Sequence, residues 1–271
     1  MTIAKPLSNK KILVTRGVEQ GQEFAKKISE AGGEPILIPL ITFELPKNTN
    51  SIEHVVNNLH MYEWLVFTSK NGVEYFFQCL QKFHVSKQHV QHLKIAVVGT
   101  KTEEIVKNNG FTVEVIPSKF DLEGLLEALK SKLKLSDRVL LARGNLARSK
   151  LPEELKNSGV TVTDLIVYET VLNEVSKRKL LDLLPKQELD AITFTSPSTV
   201  LNFITLLEGS KWREWIGECA IACIGPVTKK TADDAGLHTH VCPETYTVDA
   251  MLKSLTTYFQ QLEQKVTRGG F

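Results

Sequence analysis

The chain is poor in cysteine, with Cys79, Cys219, Cys223 and Cys242 the only four in 271 residues and no CxxC pair among them. That leaves no disulfide framework and points to a reducing compartment, the cytoplasm. No apolar run approaches the ~18–20 residues needed to cross a bilayer. The opening "MTIAKPLSNKK" has no apolar core of a secretion signal, so no membrane is expected. Neither charge sign dominates: 33 Lys and Arg face 31 Asp and Glu, for a formal net charge of +2. Without a basic run there is no nucleic-acid footprint. A GxGxxG after a strand, a GxxxxGK[ST], an HExxH and a GxSxG are all missing, so no dinucleotide, P-loop, zincin or hydrolase-elbow chemistry is indicated. Neither a cofactor nor a metal is expected.

What the sequence does have, it has twice. "FTSKNGV" at 67–73 returns as "FTSPSTV" at 194–200, 127 residues later. "KILVTRG" at 11–17 returns as "RVLLARG" at 138–144 with the same offset. "GGEPILIPLITFE" (32–44) resembles "SGVTVTDLIVYET" (158–170), and "IAVVGTKTEEIVKNNG" (95–110) resembles "IACIGPVTKKTADDAG" (221–236), both 126 apart. "FTVEVIPSKFDLEGLLEALKSKL" (111–133) parallels "LHTHVCPETYTVDAMLKSLTTYF" (237–259) at 126. Five collinear matches describe a duplicated unit of about 125 residues, close to the commonest domain size.

Each copy alternates strand and helix. Short Val/Ile/Leu runs predict strands over 11–15, 35–39, 63–67, 94–98, 112–116, 138–142, 160–166, 189–194, 219–224 and 238–242. They show little polar alternation, which suits parallel strands covered on both faces. Helix-length segments such as 18–31 and 246–260 lie between them, and Gly32, Gly110, Gly159 and Gly236 are placed to end helices. The expectation is α/β: two doubly wound parallel-sheet, flavodoxin-like lobes from an internal duplication. The polar tail 261–271 is expected to fray.

Ligands of open parallel sheets bind beyond the carboxyl ends of the strands. Those ends here carry Thr15-Arg16-Gly17, Thr68-Ser69-Lys70-Asn71, Gly99-Thr100-Lys101-Thr102, Arg143-Gly144, Thr195-Ser196 and Gly225-Pro226-Val227-Thr228. Each precedes a helix, whose first N–H groups attract anions where small side chains permit close approach. The same Ser and Thr residues also serve as simple helix caps, and both readings stand. A ligand with several negative charges fits the first. His238, His240 and Cys242 would share one face of a strand, but their counterparts Thr112, Glu114 and Ile116 form no ligand set, so a plain sheet face is expected. His84, His89 and His92 fall in a polar connection and read as solvated. Tyr168 follows the strand 160–166, where the first copy has Thr42. A phenol is protonated at neutral pH and can donate a proton or hydrogen bond. It can equally be a packed ring with its hydroxyl on a backbone carbonyl.

"ILVTR" (12–16), "RGNLARSKLPEELKNSGVTVTDLIVYET" (143–170), "FTSPSTVLNF" (194–203) and "IGPVTKKTADDAG" (224–236) together resemble uroporphyrinogen-III synthase over roughly 11–258. The resemblance implies one lobe from 1–40 plus 172–271, a second from 45–166, antiparallel connecting segments at 41–45 and 167–171, and an active site in the cleft between lobes. It implies a cyclising lyase that closes hydroxymethylbilane, a linear tetrapyrrole polycarboxylate, with inversion of the last ring and loss of water. Tyr168 takes the place of the family's tyrosine thought to help the hydroxyl leave. Arg16, Ser69, Thr100, Arg143, Ser196 and Thr228 become substrate-binding residues. The implied enzyme is a monomer that takes its substrate, by a transient hand-off, from the preceding enzyme. The architecture alone would also suit a non-enzymatic two-lobe small-anion binding protein. A nucleotide-sugar transferase would need a phosphate fingerprint and an acidic ribose or metal ligand, and neither is evident.

Overall fold

The computed structural model describes residues 5–147 and 150–268. Its elements run β1 (Lys11–Val14), α1 (Val18–Glu30), β2 (Glu34–Leu37), β3 (Ile41–Glu44), α2 (Asn50–Asn57), β4 (Trp64–Phe67), α3 (Lys70–Lys82), β5 (Lys94–Val97), α4 (Thr100–Asn108) and α5 (Leu122–Lys130). The second half continues with β6 (Arg138–Gly144), α6 (Lys150–Asn157), β7 (Thr161–Leu172), α7 (Glu174–Leu183), β8 (Ala191–Phe194), α8 (Pro197–Leu206), α9 (Trp212–Ile216), β9 (Ala220–Cys223), α10 (Pro226–Asp234) and α11 (Val248–Arg268). Two compact units result. Unit 1 is Met1–Thr42 with Leu172–Phe271, and unit 2 is Phe43–Val171.

Unit 1 holds a four-stranded sheet in the order β2-β1-β8-β9, every pair parallel. Unit 2 holds the order β3-β7-β6-β4-β5, in which β7-β6, β6-β4 and β4-β5 are parallel. Under the 126–127-residue offset, β2-β1-β8-β9 corresponds to β7-β6-β4-β5. The four corresponding strands of each sheet therefore come two from each half of the chain, and β3 adds a fifth strand from the first half to the unit 2 sheet.

The unbroken apolar strands have the expected cause. Leu13, Ile192, Phe194 and Ile221 enter one hydrophobic cluster, whereas Ile12, Val14, Ala191, Ala220 and Ala222 enter another. Leu65, Phe67, Leu140 and Ala142 likewise separate from Trp64, Val66, Val139 and Leu141. Successive residues point to opposite faces, and helices cover both. Gly32, Gly110, Gly159 and Gly236 all have positive φ, between +83° and +92°, the left-handed conformation that stops a helix.

Four expectations change. The segments 112–116 and 238–242 are not strands; each touches its sheet through a single bridge, Val115 to Ala96 and Val241 to Ala222. Pro117 and Pro243 follow at once and offer no N–H to continue a ladder. Residues 41–44, read as part of a connection, form β3 beside β7. β7 itself runs through residues 167–171 to Leu172, a stretch rich in strand-forming Ile, Val, Tyr and Thr. The tail does not fray at 261: α11 continues to Arg268. Met251, Leu255 and Phe259 are buried and Leu262 extends their helical spacing, so the register carries past the expected end.

Candidate functional site

The carboxyl edge of the unit 2 sheet gathers the densest chemistry. Ser69 follows β4 and caps α3, its Oγ accepting from the Gly72 N–H at 3.0 Å. The same Oγ lies 3.3 Å from the Tyr168 hydroxyl, and either oxygen can donate. The phenol thus meets a serine and not a backbone carbonyl. Tyr168 sits on β7, where the pairing with β6 shifts: Arg143 faces Ile166 but Gly144 faces Tyr168. One extra β7 residue is absorbed there, which is how a bulge re-aims a side chain. A Cβ on Gly144 would lie 2.4 Å from Tyr168 Cζ and 2.7 Å from its hydroxyl. The absent side chain is the seat of the ring. Phe43 meets Tyr168 edge-on with centroids 5.5 Å apart, and Tyr75 lies 5.4 Å away at 35°. Tyr75 donates to the Phe43 carbonyl at 2.6 Å. Burial first, then the charges of Glu44 and Glu74 and the Tyr168 phenol, push the Tyr75 hydroxyl above its ordinary range. Tyr75 is a neutral wall.

Arg143 has a different task from the one expected. It is 8% exposed. Its Nε and Nη2 donate to the two carboxylate oxygens of Asp164, both at 2.6 Å, and Nη1 donates to the carbonyls of Gly144 and Ala147 at 3.3 and 2.8 Å. A guanidinium so engaged fastens the turn after β6 and is not available to a substrate carboxylate. Thr100 opens α4 and is exposed, and its cap residue Gly99 contributes no side-chain acceptor. Two positions on, Thr102 is buried at 4% exposure. Thr102 belongs to the same strand-end run as Thr100, and the 126-residue offset aligns it with Thr228.

In unit 1 the equivalent edge is simpler. Thr15 and Thr193 are buried and donate to the Thr193 and Leu13 carbonyls, so both are structural. Arg16 is half-exposed, and its Nε donates to the neutral Gln20 at 2.7 Å. Ser196 caps α8 by accepting from the Thr199 N–H at 3.2 Å, with Thr199 Oγ1 accepting in return from the Ser196 N–H. Thr228 stands in the first turn of α10 at 3% exposure, behind Gly225, which again supplies no side-chain cap.

Several groups are removed from the chemistry. Burial pushes the Cys79, Cys219 and Cys223 thiols up to about 11, 12 and 11, so they are not thiolates at neutral pH. His240 accepts at Nδ1 from the Ile221 N–H at 3.1 Å. Among the described residues no group of three His, Cys, Asp or Glu side chains is placed to hold a metal. Among those residues, too, no helix is long and apolar enough to cross a membrane.

Known proteins agree on what this arrangement belongs to. The family model of uroporphyrinogen-III synthase HemD matches residues 22–253. Uroporphyrinogen-III synthase of Synechococcus elongatus is 30% identical over 261 residues, covering 95% of this chain and 98% of that one. The solved synthase of Helicobacter pylori, 18% identical, superposes with a TM-score of 0.55 over 92% of this chain and 98% of its own. A mutant synthase of Thermus thermophilus, also 18% identical, gives 0.53 over 93% and 99%. The structural matches show the fold, and the sequence matches show the family: this chain is a member of the uroporphyrinogen-III synthases.

Proposed function

We propose that the chain closes hydroxymethylbilane to uroporphyrinogen III at the carboxyl edges of its parallel strands, with Tyr168 assisting departure of the hydroxyl as water. The observation that carries this is the Tyr168 phenol, held 3.3 Å from Ser69 Oγ over the bare backbone of Gly144. An electron-rich pyrrole expels its hydroxyl readily, so one positioned phenol suffices as acid. The C–O bond breaks, the phenol proton leaves with the oxygen as water, and the ring nitrogen's electron density fills the vacated carbon. The proton later released as the macrocycle closes returns to the phenolate. Steering the reactive cation to the inverted ring is then a matter of holding one conformation of a flexible chain, and fixed orientation is worth several kcal/mol. Thr100, Ser69, Ser196 and Thr228, with the helix N-termini they begin, suit the substrate's carboxylates. Arg16 supplies positive charge from unit 1, and Arg143 acts indirectly by holding the Gly144 turn.

The same reading makes the two units flavodoxin-like products of a duplication that exchanged strands. The offset-matched strand orders support it, as do the matching single bridges of Val115 and Val241. Within it the enzyme is a cytoplasmic monomer receiving its substrate from the enzyme that makes it. Tyr168→Phe tests the central step. Type III porphyrin, measured after oxidation of the products, should form about 10²-fold more slowly, the scale of a lost general acid. The melting temperature should stay near wild type. A wild-type rate would remove Tyr168 from the role.

A further inference from the structure

Two aromatic side chains stand outside the packing. Phe120 is 60% exposed and Tyr246 is 62% exposed, and no other aromatic residue among those described exceeds 38%. They are 126 residues apart, the offset that relates the two halves of the chain. Each occupies the same local construction. Phe120 precedes Asp121, whose Oδ1 accepts from the Gly124 N–H at 2.7 Å to cap α5. Tyr246 precedes Thr247, whose Oγ1 accepts from the Ala250 N–H at 3.1 Å at the start of α11. The caps fix where the rings begin. Phe120 then lies over Gly99, with its Cβ and Cγ 3.4 and 3.5 Å from where a glycine Cβ would stand. Tyr246 lies over Gly225, with Cδ1 and Cγ at 3.1 and 3.2 Å.

Gly99 and Gly225 are the caps of α4 and α10, and neither helix start is closed by a side chain. Both glycines are extended, at φ −172° and −170°, so backbone conformation does not call for glycine there. At Gly225 the nearness of the aromatic does. An apolar residue in front of a helix cap ordinarily folds onto its own helix as a staple. These two leave most of their rings in solvent beside open N–H groups, in both units.

We propose that Phe120 and Tyr246 are contact walls for pyrrole rings of the substrate, each ring stacking on the aromatic while a carboxylate it carries meets the adjacent helix start. The inference rests on the reading under Proposed function and adds to it the residues that recognise the ring as opposed to its acid groups. A flat, electron-rich heterocycle bearing carboxylates matches an aromatic face next to backbone donors better than either an inorganic anion or a plain hydrocarbon does.

The test uses the full chain with hydroxymethylbilane. Phe120→Ala and Tyr246→Ala should each raise KM about 3- to 10-fold, the scale of one lost aromatic contact. kcat should stay within about twofold. Phe120→Tyr and Tyr246→Phe, which keep a flat ring, should retain the wild-type KM. Phe120→Leu, apolar but not flat, should behave like the alanine variant. Melting temperatures should not move, because the rings are mostly exposed. Wild-type KM in both alanine variants would overturn the inference and leave the reading intact. So would a KM change that follows a fall in melting temperature. Failure of the wild-type chain to make type III product would instead remove the reading, and the inference with it.

Discussion

Gly17, which follows β1 and caps α1, and Gly144, which ends β6, correspond under the 127-residue offset, and what covers them differs completely. A side chain at Gly17 would meet nothing within 4 Å, whereas at Gly144 it would strike the Tyr168 ring at 2.4 Å. The two serine caps differ in the same way. Ser196 Oγ bonds within its own helix start, to Thr199 and Ser198, while Ser69 Oγ reaches across to Tyr168. The helices behind the second-copy tips begin with Pro197 and with Pro226-Val227, where the first copy has Lys70 and Thr100-Lys101. The strand-turn-helix pattern recurs, whereas the contact between a serine cap and a phenol is made in unit 2. The phenol comes from β7, Tyr168 against Thr42, and not from the strand-turn-helix motif that makes the repeat visible.

The arginines should separate the units most strongly. Arg143→Ala removes a buried guanidinium that bonds the exposed Asp164 carboxylate and the Gly144 and Ala147 carbonyls and should destabilise by about 1–3 kcal/mol, a clear loss in a thermal melt. Arg16→Ala, whose partner is a neutral glutamine, should leave the melt unchanged and raise KM about tenfold. Equal melts for the two variants would break the comparison. Gly144→Ala should displace the Tyr168 ring, at about 1–3 kcal/mol of overpacking and at least a tenfold fall in kcat. Gly17→Ala should be neutral within about 0.5 kcal/mol. Ser69→Ala and Ser196→Ala should each cost about 1 kcal/mol as lost caps, but only Ser69→Ala should also slow turnover.

The smallest effect concerns acid. Desolvation of the His240 ring, then neighbouring His238, lowers its pKa, against an opposite pull from Glu218. A histidine with a depressed folded-state pKa binds protons more readily when unfolded. Its contribution is therefore complete above the ordinary value near 6.5 and declines as pH falls below it. Melts between pH 8 and 5 should show unit 1 softening in that range, and His240→Gln should flatten the slope. Unit 2 has Glu114 at the matching position, so a fragment lacking His240 should not share this slope.

Much of the fold could be read from residue order. Apolar strands without polar alternation announced sheets buried on both faces, and Leu13 beside Ile12 and Val14 shows why. The constant offset located the strand tips. It did not reveal that the segments around Val115 and Val241 reduce to single bridges, because an apolar alternation says nothing about the proline that follows. Nor could it show Arg143 closing on Asp164, since the two meet only after β6 and β7 align, 21 residues apart. Tyr168 was legible as a candidate; its seat was not, because a bulge is a property of two strands in register. Thr102 stood in the same strand-end run as Thr100, but its burial was not legible.

The chain order of the two units orders the birth of the protein. Phe43–Val171 is one continuous stretch, complete once the ribosome has passed it. The other unit waits, because β1 lies against β8 and Thr15 donates to a carbonyl 178 residues downstream. Until that partner emerges, β1 and β2 have an open flank, so the nascent chain must shelter its first segment while its middle folds. Losing the carboxyl-terminal third would strand the amino terminus and spare the middle.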